Sequence, residues 1–328
     1  MNKHTPQSGF SLLELTLALG VSIVLTGGVF YYLKQNQESF VVEAAIADLH
    51  QNFRAAMDLM TRDIQGAGAG LPQFLGPVAS NDGGTDGSGN PNVDGAGRQL
   101  TDEILILYGD PAFPSLTVTN GPIASRTTPI QVQNPATGPA PTFTNGDNYV
   151  LYALSQPNAY ATTDNAEFDV FTLSSNSAIT GGRQLTASAT STVNPPTWSN
   201  IVFPSNSVLR VTRLSEWVRY RVAPTTNELQ RSISGGAWVA VAHDITNLQI
   251  QYWTESINSG TGVVTQSYVD QLSTTTTNNR ALVRSVRISL TGQTQMTRVA
   301  DNQGQRTLSQ VIDVTPRNLV LPGFVINR

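Results

Sequence analysis

From Phe10 to Leu33 the chain carries aliphatic, aromatic, small and hydroxyl side chains and a single charge, Glu14. As a helix this stretch reaches about 36 Å, enough to cross the apolar part of a bilayer. The length suits a membrane; the acid does not. A carboxylate at the middle of a spanning helix costs about 2.5–3.5 kcal/mol, so one retained there calls for a partner. Glu14 sits near one end, where the cost is smaller. After Lys34 the pattern turns amphipathic, with Ile46, Leu49, Phe53, Met57, Met60 and Ile64 recurring at steps of three and four. Those residues are expected to face a β-sheet. Arg54, Asp58 and Arg62 follow at four-residue steps on another face, as a solvated surface with ion pairs worth about 0.3 kcal/mol each. Gly27-Gly28 falls inside the apolar half, where glycine is common in spanning helices. Gly66-Ala67-Gly68-Ala69-Gly70-Leu71-Pro72 ends the pattern, because glycine supplies a left-handed cap and proline cannot continue the helix. One long helix is predicted from Phe10 to about Gln65.

Beyond a Gly-, Asn- and Asp-rich loop from Pro77 to Arg98 the periodicity becomes that of strands. Glu103 to Tyr108 is a nearly continuous apolar run, and Tyr149 to Leu154 and Phe168 to Leu173 are two further strand candidates joined by long connections. The last third predicts a series: Val208 to Thr212, Trp217 to Val222, Glu228 to Ile233, Ala237 to Ala242, Leu248 to Trp253 and Leu282 to Leu290. Val218, Tyr220 and Val222 share one face and Arg219 and Arg221 the other, giving that strand a core side and a wet side. Ser273 to Asn279 is a low-complexity loop, and Val311 to Arg317 with Asn318-Leu319-Val320 closes the chain as an edge strand. The fold class expected is α+β, a long amino-terminal helix on a large β-rich head.

The residues ahead of the apolar run sharpen this. Met1 to Gly9 is short and polar, with Lys3 and His4, and no small-residue cleavage site follows Leu33 directly, so the apolar segment is expected to be kept rather than removed as a secretory signal. Gly9-Phe10-Ser11-Leu12-Leu13-Glu14 resembles the processing site of type IV prepilins and type II secretion pseudopilins. The resemblance implies cleavage between Gly9 and Phe10 by a prepilin peptidase, methylation of the new Phe10 amine, and Glu14 as the fifth-position acid used in assembly. That amine lies one helical turn from Glu14, so the pair can neutralise itself within one subunit or between neighbours. Breaking such a pair in apolar surroundings costs about 3–5 kcal/mol. Arg62-Asp63-Ile64-Gln65-Gly66-Ala67-Gly68 is similar to the helix end of the PilW family of minor pilins, and the order of strands from Tyr220 to Leu290 is similar to that family and to the related J-type pseudopilins.

The resemblance implies a pilin-like α+β layout: leader 1–9, membrane half 10–33, amphipathic half 34–66, and an extracytoplasmic head 71–328. The strand pattern divides that head into an elaborated part 71–205, either a sheet with long loops or a subdomain inserted into a smaller head, and a regular part 206–328. The resemblance also implies a structural minor pilin that helps prime filament assembly, in a tip complex with other major and minor pilins, held in the inner membrane with its lipid and served by an assembly platform. A J-type secretion pseudopilin and a DNA-contacting competence pilin are the alternatives.

Composition adds limits. With 328 residues the chain can hold one large domain or two smaller ones, and with no cysteine it has neither disulfide nor thiolate chemistry. A net charge of -4 argues against wholesale nucleic-acid packaging. Asn90, Asn92 and Asp94 match the first half of a calcium loop, with Asp82 and Asp86 near, but Thr101 stands where the bidentate glutamate belongs. An ordinary polar loop is the expectation, and neither metal nor cofactor is expected. His243-Asp244 with a remote serine is the nearest thing to a hydrolytic constellation, and no enzyme is expected. Arg210, Arg213, Arg219, Arg221, Arg231, Arg284 and Arg287 form a cationic face only if their strands are neighbours, with Trp217 to stack a base. Arg219, Arg221, Arg284 and Arg287 are its nucleic-acid candidates.

Overall fold

A computed structural model describes residues 11–71, 78–80, 101–121, 123, 125, 127–153, 168–188, 193, 209–223, 225–257, 261, 263–269, 283–294 and 306–317. Ser11 caps helix α1 (Leu12–Gly66), accepting a hydrogen bond from the Leu13 amide at 3.4 Å. At 55 residues the helix is about 82 Å long. In chain order the strands are β1 (Val78–Ser80), β2 (Glu103–Gly109), β3 (Leu116–Thr117), β4 (Ile130–Gln133), β5 (Asn148–Ala153), β6 (Phe168–Ile179) and β7 (Gly182–Ala187), then β8 (Leu209–Ala223), β9 (Glu228–Ile233), β10 (Val239–Ala242), β11 (Ile245–Ile257), β12 (Val264–Val269), β13 (Val283–Gln293) and β14 (Thr307–Val314). The class is α+β, one long amino-terminal helix and a β-rich head of antiparallel sheets.

Strand β8 organises the head. Its first half pairs with β5 and β3, and its second half with β2 and β9. The sequence predicts two strands here, Val208 to Thr212 and Trp217 to Val222. They are one because a bulge absorbs the polar interruption: Tyr108 faces Glu216 while Gly109 faces Leu214, leaving Ser215 as the extra residue. The Ser215 hydroxyl donates to the Gly109 carbonyl at 3.1 Å, and Leu214 stays in the core.

Around the first half of β8 the strands close on themselves. The pairings run β8-β5-β6-β7-β4, and then the bridge Val118↔Val132 and the Thr119 amide on the Gln131 carbonyl at 2.8 Å join β4 to the residues just past β3, which pairs back to β8. The inward-pointing side chains of the ring include Leu116, Val132, Tyr149, Phe171, Leu185 and Val211, and they form one cluster. Alternate residues fill the interior of this small antiparallel barrel. Gly182 lies where β7 meets β4, and a Cβ there would stand 2.0 Å from the Val132 carbonyl oxygen. β6 runs on past the expected Leu173 to Ile179 because its polar end still has β7 to pair with.

The second half of α1 fills the space between β2, β8, β9 and β10 on one side and the four-stranded sheet β12-β11-β13-β14 on the other. Leu49, Phe53, Met57, Met60 and Ile64 are buried there, as the amphipathic pattern predicts; Ile46 is half-buried, at the margin of the head. Strand β2 is buried on both faces, Ile104 and Ile106 toward the helix and Leu105 and Leu107 toward a cluster with Val150 and Trp217. That explains its unbroken apolar run. Asp102 ties the two sheets: its amide donates to the Leu248 carbonyl at 2.8 Å and its carboxylate accepts from the Ile250 amide at 2.6 Å.

Candidate functional site

Among the described residues nothing packs around the first half of α1. Leu12, Leu13, Leu15, Leu17 and Phe30 are each more than 60% exposed, and no part of its most apolar stretch is buried by the head. It belongs to the one helix, among the described residues, that is long and apolar enough to cross a membrane. Glu14 lies in its first turn, exposed among apolar neighbours. Gly9 and Phe10, the expected processing pair, lie outside the described residues, and so do the calcium-loop residues Asn90, Asn92 and Asp94. About 24 Å of helix separates Leu33 from Leu49, the first fully buried side chain.

The other end of α1 is locked. Asp63 is 8% exposed, and its carboxylate oxygen accepts the Tyr220 hydroxyl at 2.6 Å and the Arg231 Nε at 2.9 Å. The Tyr108 hydroxyl donates to the Asp63 backbone carbonyl at 2.8 Å. Burial first, then the Asp63 hydrogen bond and charge, push the Tyr220 phenol well above its ordinary range; burial and the same charge raise Tyr108. Burial works against the Arg231 cation, but its contacts with Asp63 and Tyr220 leave its pKa raised. Past the helix the chain lies against β2. The Gly68 amide donates to the Leu107 carbonyl and the Gly109 amide to the Ala69 carbonyl, each at 2.8 Å. Gly70 has φ +74, and a Cβ on it would meet the Gly109 carbonyl oxygen at 2.7 Å, so the approach demands glycine on both sides.

The residues expected to form helix ion pairs, Arg54, Asp58 and Arg62, are exposed, while Asp63, named only within the helix-end motif, is the acid that is buried and paired. A signal was present. Asp63 falls three residues after Met60 on the apolar face, where an ionised side chain needs a buried partner.

The arginines do not assemble into one cationic face. Arg219 and Arg221 stand on β8, whereas Arg284 and Arg287 stand on β13 in the other sheet. Arg213 holds Asp110 with Nε at 2.9 Å, Arg219 pairs with Glu103, and Arg287 grips Asp313 at 2.8 Å while lying over the Tyr268 ring. Arg284 donates to its neighbouring Val283 carbonyl. Trp217, expected as the stacking group, is buried in the core; Trp238 instead lies under Arg221 at 4.1 Å and Arg219 at 5.4 Å. Arg221 also reaches the Gln230 side-chain oxygen at 3.3 Å.

His243 is 64% exposed, with Nδ1 3.3 Å from Glu228, and Asp244 occupies a turn at φ 62. Among the described residues no three acidic or histidine side chains gather around a common point that would suit a metal. Comparison of the chain with family models, with curated proteins and with solved structures finds no match.

Asp63→Ala is expected to destabilise the protein by about 3 kcal/mol, since Arg231 loses its buried partner, whereas Tyr220→Phe costs about 1 kcal/mol. Urea denaturation of both variants, followed by tryptophan fluorescence, measures the difference. The Asp110 carboxyl is held below its ordinary range by the hydrogen bond from Arg213 and the amide of Ala112. A depressed folded pKa contributes stability above the unfolded value, about 3.9, and loses it as pH falls through the folded one. Asp110→Asn is therefore expected to be less stable than the parent at pH 7. The gap should close below about pH 4, as pH-dependent melting would show.

Proposed function

We propose that the chain is a structural minor pilin of the PilW type, made as a membrane-inserted precursor and built into a type IV pilus, where it helps prime assembly from a tip complex. The observation that carries this reading is the first half of α1: an uncovered apolar helix whose one acid lies in its first turn, directly behind Gly9-Phe10. In this reading prepilin peptidase frees the Phe10 amine, and Glu14 neutralises it within the subunit in the membrane and then across subunits in the filament. The partners are other pilins, the inner-membrane assembly platform and lipid.

The head supports the reading by being fastened to the far half of the same helix through Asp63. DNA contact draws no support from the arginines, whose candidates are divided between two sheets. Glu14→Ala is expected to leave the amount of protein in the membrane unchanged and to remove it from filaments sheared off the cell surface. Immunoblotting both fractions tests this, and equal incorporation of the variant would count against the assembly role.

A further inference from the structure

The chain has two lysines, Lys3 and Lys34, one on either side of the apolar run, and the rest of its fixed cationic charge is arginine. Phe30-Tyr31-Tyr32 stands just ahead of Lys34, and Gln35-Asn36-Gln37 directly follows it. At about 100° per residue the three rings point to three different sides of α1, and Lys34 lies one turn beyond Phe30 and Tyr31. The rings are open, at 67%, 73% and 64% exposed, and Lys34 is exposed beside them. Leu49, the first fully buried side chain, is about four turns further on, so the head does not account for these groups. Two phenols placed wholly in hydrocarbon would have nothing to bond. An apolar ring with a polar tip instead suits the layer where acyl chains give way to headgroups. A lysine there can lay its stem along the helix and carry its ammonium out to phosphate.

We propose that Phe30, Tyr31, Tyr32 and Lys34 seat the head-side end of the apolar helix half in the phospholipid headgroup layer, and that this seat fixes how deep Glu14 lies at the other end. The tyrosine hydroxyls donate to ester and phosphate oxygens, the rings pack on the glycerol region, and the Lys34 ammonium pairs with phosphate. Helix length supplies the second part. Tyr31 lies about 25 Å along the helix from Glu14, against a hydrocarbon core about 30 Å thick. With the rings at one boundary, the carboxylate lies just inside the opposite one. A shift of one turn, about 5.4 Å, toward the head draws the acid further into oil, and the same shift away from the head delivers it to water. The inference rests on the apolar helix half lying in a membrane and not on the chain being a pilus subunit.

Because the chain has no cysteine, depth can be read in the full-length protein from single thiols: Leu12→Cys, Val21→Cys, Val24→Cys, Gln35→Cys and Gln37→Cys. Isolated membranes, opened so that reagent reaches both faces, are treated with a charged maleimide, and the rate of labelling is measured at each position. The expected profile has Val21→Cys and Val24→Cys protected and Gln35→Cys and Gln37→Cys reactive. When Tyr31→Leu, Tyr32→Leu and Lys34→Leu are combined, the edge of protection should move about one turn toward the head, silencing Gln35→Cys, while Leu12→Cys reacts faster. Phe40→Leu, an exposed apolar exchange beyond the seat, should leave the profile as it is. An unchanged profile in the triple variant would overturn the seat and leave the membrane helix standing. A parent chain in which Val21→Cys and Val24→Cys label as fast as Gln37→Cys would overturn both the seat and the membrane reading beneath it.

Discussion

Half of a 55-residue helix is coated with leucine, valine, isoleucine and phenylalanine that the head leaves uncovered. At about 25 cal/mol for each Å² of apolar surface, this stretch is far out of balance with water and needs lipid or other apolar helices around it. The rest of the molecule is arranged about that demand. The head is set back along the helix, and the only charge in the apolar stretch is confined to its first turn.

A helix that must satisfy one environment at its start and another at its end has to be joined firmly to the head. The amphipathic half does this by burying one face between two sheets, and Asp63 fixes the angle at the far end with Tyr220, Arg231 and the backbone contact to Tyr108. Glycines at 70 and 109 then let the exit segment run against β2 at backbone distance. Removing Asp63 takes the partner from both Tyr220 and Arg231, whereas removing Tyr220 leaves the carboxylate still held by Arg231, so the acid is the centre of the junction.

The helix was the most legible part of the sequence, because its two periodicities extend over many turns and its end is marked by glycine and proline. Apolar strands such as β2 and β11 were legible for a similar reason. Strand β8 was read as two because residues 213–216 break the alternation, and a bulge against β2 is a relation between strands that one strand's pattern does not contain. The barrel was hidden more deeply. Its closure depends on Val118 meeting Val132 and on β3 returning to β8, contacts remote in sequence between very short segments. The arginines misled for a related reason: their number was visible, but not the sheet each belonged to or the acid beside it.

In the proposed reading Glu14 balances an amine that exists only if the chain is cut before Phe10. Mass spectrometry of the amino terminus of protein recovered from cells asks this directly. The account predicts a chain beginning with N-methylated Phe10. A chain that still starts at Met1, or that starts beyond Leu33, would contradict it.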